Sequence, residues 1–282
     1  MCGRYTLHQR AQSLKEHYNV KHVPHGLKDN YNVAPGQFMP VVTLQDNRPT
    51  LDVMKWGLVP AWAKDPKIGY KLINARDDTI FTKPMWRSVI LKQRCLIPVD
   101  GFYEWQKVTV AGKEQKQPFY IKPKHDDLLD LRKTSPPLDN ANDEVMVDLS
   151  GGSDAIASLT TEKLAGRVGG VLEEVGILRK SSLFSFAGVW SAYKDVEGLE
   201  WNTYSIITTS PNKEMASIHN RMPVILHQKD EVSWLEPSVQ TKENLEHFLR
   251  PYEDDELEIY EVSRDVNVVQ NNNIELTYPI DY

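Results

Sequence analysis

The sequence predicts an α+β domain built mainly on antiparallel sheets. Strand-like segments follow one another with few helical patterns between them. Turn residues at Asp46-Asn47-Arg48-Pro49 and near Ala111-Gly112 join neighbouring strands as hairpins. With 282 residues and 40% apolar content, the chain can fill one large core or two small ones.

Taken in order, residues 9–18 place Ala11, Leu14 and Tyr18 at helical spacing, and residues 21–30 read as loop. Tyr31-Asn32-Val33-Ala34-Pro35-Gly36 supplies turn residues before an apolar strand over 38–44. A second strand, 51–56, pairs with it. Trp56-Gly57-Leu58-Val59-Pro60-Ala61-Trp62 breaks regular structure between two Trp, either as a loop pinned by aromatic anchors or as a binding surface. A helix is expected over 81–90 from a Pro84 start, and strands over 94–99, 100–106 and 119–121. Strands follow at 184–190, 204–209, 224–226 and 257–262, with helices at 211–218, 231–235 and 242–249.

Residues 124–182 differ in character. They lack Phe, Trp and Tyr, carry Ser135-Pro136-Pro137 and Ser150-Gly151-Gly152-Ser153, and hold eleven acidic against seven basic residues. They read as a flexible acidic insertion or a partly helical excursion over 162–179, interrupting a single domain that spans 1–282. Their net −4 leaves the rest of the chain near −2 of the total −6, so a local basic cleft is compatible with the composition. No window approaches the ~18 consecutive apolar residues of a membrane span. The start lacks a signal-peptide pattern, because Arg4, His8, Gln9 and Arg10 interrupt any apolar run. Cys2 and Cys95 are too few for a disulfide scaffold and sit in no zinc-binding spacing, which points to an intracellular protein with reduced thiols and no structural metal.

The most suggestive chemistry is at the start, Met1-Cys2-Gly3-Arg4. Loss of Met1, which a small following residue permits, leaves an α-amine and a thiol on adjacent carbons of Cys2. Such a 1,2-aminothiol condenses with an aldehyde to a Schiff base and then a thiazolidine ring. Both nucleophiles are available near neutral pH, with ordinary pKa values of roughly 8 and 8.5. Glu104, between Tyr103 and Trp105, is either a desolvated acid/base or a solvent-facing strand residue. His219 is either a proton shuttle or an ordinary loop histidine, and Asn74 either holds a polar group or forms a turn. Arg4, Arg76 and Arg221 lie within two residues of Cys2, Asn74 and His219, as surface charges or as a phosphate clamp.

Six motifs appear in order: Met1-Cys2-Gly3-Arg4, Tyr31-Asn32-Val33-Ala34-Pro35-Gly36, Trp56-Gly57-Leu58-Val59-Pro60, Ile73-Asn74-Ala75-Arg76, Asp100-Gly101-Phe102-Tyr103-Glu104-Trp105 and His219-Asn220-Arg221-Met222-Pro223. Val262-Ser263 and Val266-Asn267 add a C-terminal match. Together they resemble the SRAP family, the SOS-response-associated peptidase-like proteins, over nearly all of the chain outside 124–182. The resemblance implies an open barrel-like core with peripheral helices. It also implies action on abasic sites in single-stranded DNA, whose open-ring sugar exposes an aldehyde that the terminal Cys2 closes into a thiazolidine crosslink. On this reading Cys2, Asn74, Glu104 and His219 are catalytic: Glu104 manages protons, His219 assists at the sugar and in reversal, and Asn74 positions the terminus. Arg4, Arg76 and Arg221 would hold phosphates. Trp56, Trp62 and Trp105 would be stacking platforms and Pro35 a wedge, although Trp56 and Trp105 could equally be core.

Autocatalytic Met1 removal is likewise implied by the resemblance, with no metal or cofactor. The expected protein is a monomer that is nuclear in a eukaryote and cytoplasmic, on the nucleoid, in a bacterium. The long insertion departs from the family pattern, and the C-terminus lacks a sliding-clamp binding motif. Two rival readings are a non-covalent reader of modified cytosine in DNA and a cysteine peptidase acting in trans.

Overall fold

The computed structural model describes residues 2–110, 112–124, 183–239 and 241–280. All of the expected insertion except Lys124 lies outside these residues. In chain order the strands are β1 (Arg4–Leu7), β2 (Asn30–Val33), β3 (Phe38–Gln45), β4 (Arg48–Trp56), β5 (Asn74–Arg76), β6 (Arg94–Val99) and β7 (Gly101–Val110). They continue as β8 (Lys113–Pro123), β9 (Phe184–Lys194), β10 (Glu200–Thr209), β11 (Met222–Pro223), β12 (Ile225–Leu226) and β13 (Leu257–Glu261). The described helices are short: α1 (Ala11–Tyr18), α2 (Val89–Lys92), α3 (Gln228–Leu235) and α4 (Lys242–Glu246).

Two sheets result, α+β as expected. The first runs β13-β8-β7-β1-β2 and is antiparallel throughout. The second runs β11-β10-β4-β3-β6-β9-β12, and β10 pairs again with β9. Strands β10, β4, β3, β6 and β9 therefore form a ring, so the barrel-like core is hydrogen-bonded all the way round. Among the described strands, only β10 breaks the antiparallel rule, by pairing parallel to β4 and, further along the same edge, to β5.

A ring of five strands has little interior room, and Gly188 shows the constraint. A Cβ there would lie 2.2 Å from Ile97 Cδ1 and 3.0 Å from the Cys95 sulfur. Buried Arg94 ties the outer helices to the ring by donating to the carbonyls of Ile90, Leu91, Trp234 and Glu236. It thereby satisfies main-chain oxygens where α2 and α3 end.

Several elements differ from the sequence expectation. The helix expected over 81–90 is a series of turns, with only α2 helical. The helix expected over 211–218 is a single 3-10 turn, Met215–Ser217. Strands β1 and β2 are four residues each, too short for a periodic signal, yet β1 is an interior strand of the first sheet, between β7 and β2.

Candidate active site

The site begins with strand register. Arg4 lies opposite Tyr103 and Tyr5 opposite Phe102. Carried one step further, the same antiparallel register sets Gly3 across from Glu104 and brings Cys2 to that carboxylate. From the other side comes β5, aligned along β10 with Asn74 beside Ile206. The Asn74 amide Nδ2 donates to the Cys2 carbonyl at 2.9 Å. A strand of each sheet thus delivers one polar side chain to the start of the chain.

Burial sets the electrostatics. Cys2 is fully buried, and burial first, then the charge of Glu104, pushes its thiol well above the ordinary range. The S–H donates to the Arg4 carbonyl at 3.7 Å. Glu104 is 2% exposed, and burial raises its carboxyl to about 7. Near neutral pH the arrangement is therefore a protonated thiol beside a carboxyl that can gain or lose a proton. Behind them the Tyr5 and Tyr204 hydroxyls share a hydrogen bond of 2.7 Å.

His219 arrives on the turn between Met215–Ser217 and β11. Its Nδ1 lies 3.1 Å from the Arg221 amide nitrogen and 3.2 Å from the Arg221 carbonyl oxygen, so the Arg221 main chain fixes the ring. Burial lowers its pKa and favours the neutral form. Gln106 draws this turn towards β7, its Nε2 donating to the Ser217 carbonyl at 2.9 Å. Gln106 is two residues past Glu104, and Ser217 two before His219. The four expected catalytic residues thus sit on segments that the fold ties together.

The expected DNA contacts divide. Trp62 is 63% exposed, Pro35 is half-buried, and Trp105 is half-buried with its Nε1 donating to Asn267 Oδ1 at 2.8 Å. Trp56 takes the core alternative. It is 1% exposed, packs against the Tyr5 and Tyr204 rings, and donates from Nε1 to the Ile73 carbonyl at 2.9 Å. A ring so enclosed cannot stack on a base. Arg4 is half-buried and donates to the Gly3 carbonyl at 2.9 Å. Arg76 is exposed and makes a two-pronged bridge to Asp78, with Nη2 2.6 Å from Oδ2. Arg221 is largely enclosed, its Nη2 2.6 Å from Asp77 Oδ1 and also donating to the Thr208 carbonyl.

Sequence reasoning missed Gln106, Asp77 and Asp78. The two acids directly follow Arg76, and that adjacency was the available signal for ion pairs. The Tyr31-Asn32 motif also acquires a structural reason. Buried Asn32 donates to the carbonyls of Val266, Val268 and Asn271, each at 3.1 Å, and fastens the C-terminal turn that holds Asn267 against Trp105.

A family model described as SOS response associated peptidase (SRAP) matches residues 1–269. The chain belongs to the SRAP family. Among its relatives is the abasic site processing protein YoqW of Bacillus subtilis, 34% identical over 278 residues that cover 98% of each chain. The abasic site processing protein HMCES of Mus musculus is 28% identical, covering 100% of this SRAP chain and 76% of the mouse protein. A crystal structure of a Bacteroides thetaiotaomicron protein superposes with a TM-score of 0.73 at 24% identity, covering 99% of this chain and 100% of that one, which shows a shared fold. Among the described residues no helix is long and apolar enough to cross a membrane, and no group of three or more His, Cys, Asp or Glu could hold a metal ion.

Proposed function

We propose that this protein captures abasic sites in single-stranded DNA by closing a thiazolidine between Cys2 and the sugar aldehyde. The observation that carries the reading is the pairing at the start of the chain: the Cys2 carbonyl held by Asn74, and the Cys2 thiol beside a carboxyl raised to about 7. The family membership and the names of the relatives supply the substrate class.

The chemistry follows from those protonation states. Once Met1 is lost by autocatalytic hydrolysis, the Cys2 amine adds to the aldehyde carbon. The resulting carbinolamine loses water to give an iminium. A protonated thiol is a poor nucleophile, so Glu104 as carboxylate takes its proton while the sulfur bonds to the same carbon. The ring nitrogen keeps one hydrogen, and the whole reaction releases one water. Both nucleophiles are consumed together with the aldehyde, so no Schiff base persists to drive β-elimination and strand cleavage. His219, kept neutral by burial, serves the sugar hydroxyl during ring opening and the reverse reaction. Asn74 holds the main chain of Cys2 so that the terminus points at the carbon.

Full-length protein mixed with a single-stranded oligonucleotide containing one abasic site tests this on a denaturing gel. A shifted band is expected without reductant, and it is absent with Cys2→Ala and with undamaged DNA. A protein lacking Met1 that gives no such band overturns the reading. A non-covalent reader of modified cytosine would bind equally well after Cys2→Ser, and it leaves the Asn74–Cys2 contact without a purpose.

A further inference from the structure

We propose that the loop 58–72, together with the crease it forms against the turn at Gly36, β4 and β10, is the docking surface for one flank of the DNA single strand, with Tyr70 as its base-stacking platform and Lys67 and Lys71 as phosphate contacts. This inference rests on the single-strand reading above.

The loop is rigidly based. Leu58 N–H donates to the Leu72 carbonyl at 3.1 Å and closes its ends. Gly57, at φ 116°, meets Gly69 so closely that a Cβ on Gly69 would lie 2.6 Å from the Gly57 oxygen. Only two glycines allow that approach. Beyond this base the loop presents its large and charged side chains outward: Trp62 and Tyr70 are each 63% exposed, and Lys64, Lys67 and Lys71 are exposed. A soluble surface rarely spends two large rings within nine residues on water.

Charge selects the occupant. Between residues 55 and 71 four lysines face a single acid, Asp65, on a chain of net charge −6. Aromatic rings interleaved with lysines match a single strand, whose bases stack while its phosphates pair with cations. Tyr70 also lies against Gly36, next to Pro35, since a Cβ on Gly36 would touch its ring at 3.4 Å. Gly36, Lys55, Pro66, Tyr70 and Trp201 line a crease of about 20 Å³ there, room for a water under a stacked base. Trp201 brings to it a buried Nε1 that has no hydrogen-bond partner among the described residues. The loop's C-terminal end runs directly into Ile73 and Asn74, so a strand lying on it is led to Cys2.

The test uses the full chain carrying Cys2→Ala, so that only reversible binding is read, with a fluorescent undamaged single-stranded oligonucleotide in an anisotropy titration. Tyr70→Ala is expected to weaken binding at least about fivefold, the lower end of the cost of losing one stacked base, and Tyr70→Phe to restore it. Lys67→Ala with Lys71→Ala is expected to flatten the dependence of log K on log salt by about 1.4, or about 0.7 per lost phosphate contact. With Cys2 present, Tyr70→Ala should raise the abasic-oligonucleotide concentration needed for half-maximal crosslinking by about the same factor as it weakens binding. Unchanged affinity and salt slope in these variants, with wild type binding and crosslinking, overturn the loop's role and leave the crosslinking reading standing. Failure of wild type to bind or crosslink overturns both.

Discussion

The side chain of Asn74 and the main chain of Cys2 meet across a 2.9 Å hydrogen bond, although 72 residues separate them in sequence. Because β5 is locked along β10, this amide is a fixed reference point for a chain terminus that would otherwise fray. Asn74→Ala removes the donor and leaves a buried carbonyl unsatisfied, at a cost of about 1–3 kcal/mol. Crosslinking should slow about tenfold or more while the folded protein still binds undamaged single-stranded DNA. Single-turnover gel kinetics beside anisotropy would check both.

Glu104 ties activity to pH. If its carboxylate takes the thiol proton, the crosslinking rate should climb as pH rises through about 7, where the group ionises, and Glu104→Gln should flatten the profile. A rate profile of wild type and variant from pH 5.5 to 8.5 reads this out.

The same group should weaken the fold as pH rises to neutral. Its folded pKa of about 7 stands above the ordinary 4.5, so the native state binds the proton more tightly than the unfolded chain. Stability is therefore unaffected below 4.5, falls as pH rises from 4.5 to 7, and stays lowered above that, by about 3 kcal/mol. Glu104→Gln is expected to raise Tm at pH 8 and to leave it nearly unchanged at pH 4. Thermal melts at the two pH values decide the sign.

Two tryptophans should separate stability from binding. Trp56→Ala empties a buried site and should destabilise by about 3–5 kcal/mol. Trp62→Ala removes an exposed ring, so Tm should hold while single-strand affinity drops by about 1–3 kcal/mol. Urea unfolding and DNA titration on both variants would show whether the roles divide in this way.

The arginines make opposite predictions. Arg76 is exposed and held by Asp78, so Asp78→Asn should free it and tighten DNA binding with no change in Tm. Arg221→Ala instead leaves Asp77 and the Thr208 carbonyl without their enclosed partner, and it should lower Tm by several degrees. Melting curves and low-salt titrations of the pair provide the check.

The hairpin β3–β4, the hairpin β7–β8 and strand β9 were legible because each is an apolar or alternating run rich in β-branched and aromatic residues, and turn residues join the hairpin strands. Ring closure was not legible, since β10 reaches β4 and β5 through parallel pairings between segments far apart in sequence. The catalytic candidates were visible as motifs, but their convergence depends on register and on a link as remote as Gln106 to Ser217. Trp56 illustrates the limit in the other direction. A Trp beside a glycine suits a base platform or a core equally in sequence, and only the Tyr5 and Tyr204 rings around it decide.

A covalent ring between Cys2 and the abasic aldehyde is read out by intact mass spectrometry of the denatured adduct formed without reductant. The expected mass is that of the protein lacking Met1 plus the oligonucleotide minus one water, with the Cys2 thiol no longer open to alkylation. An adduct whose Cys2 still alkylates, or no adduct from protein that has lost Met1, would contradict it.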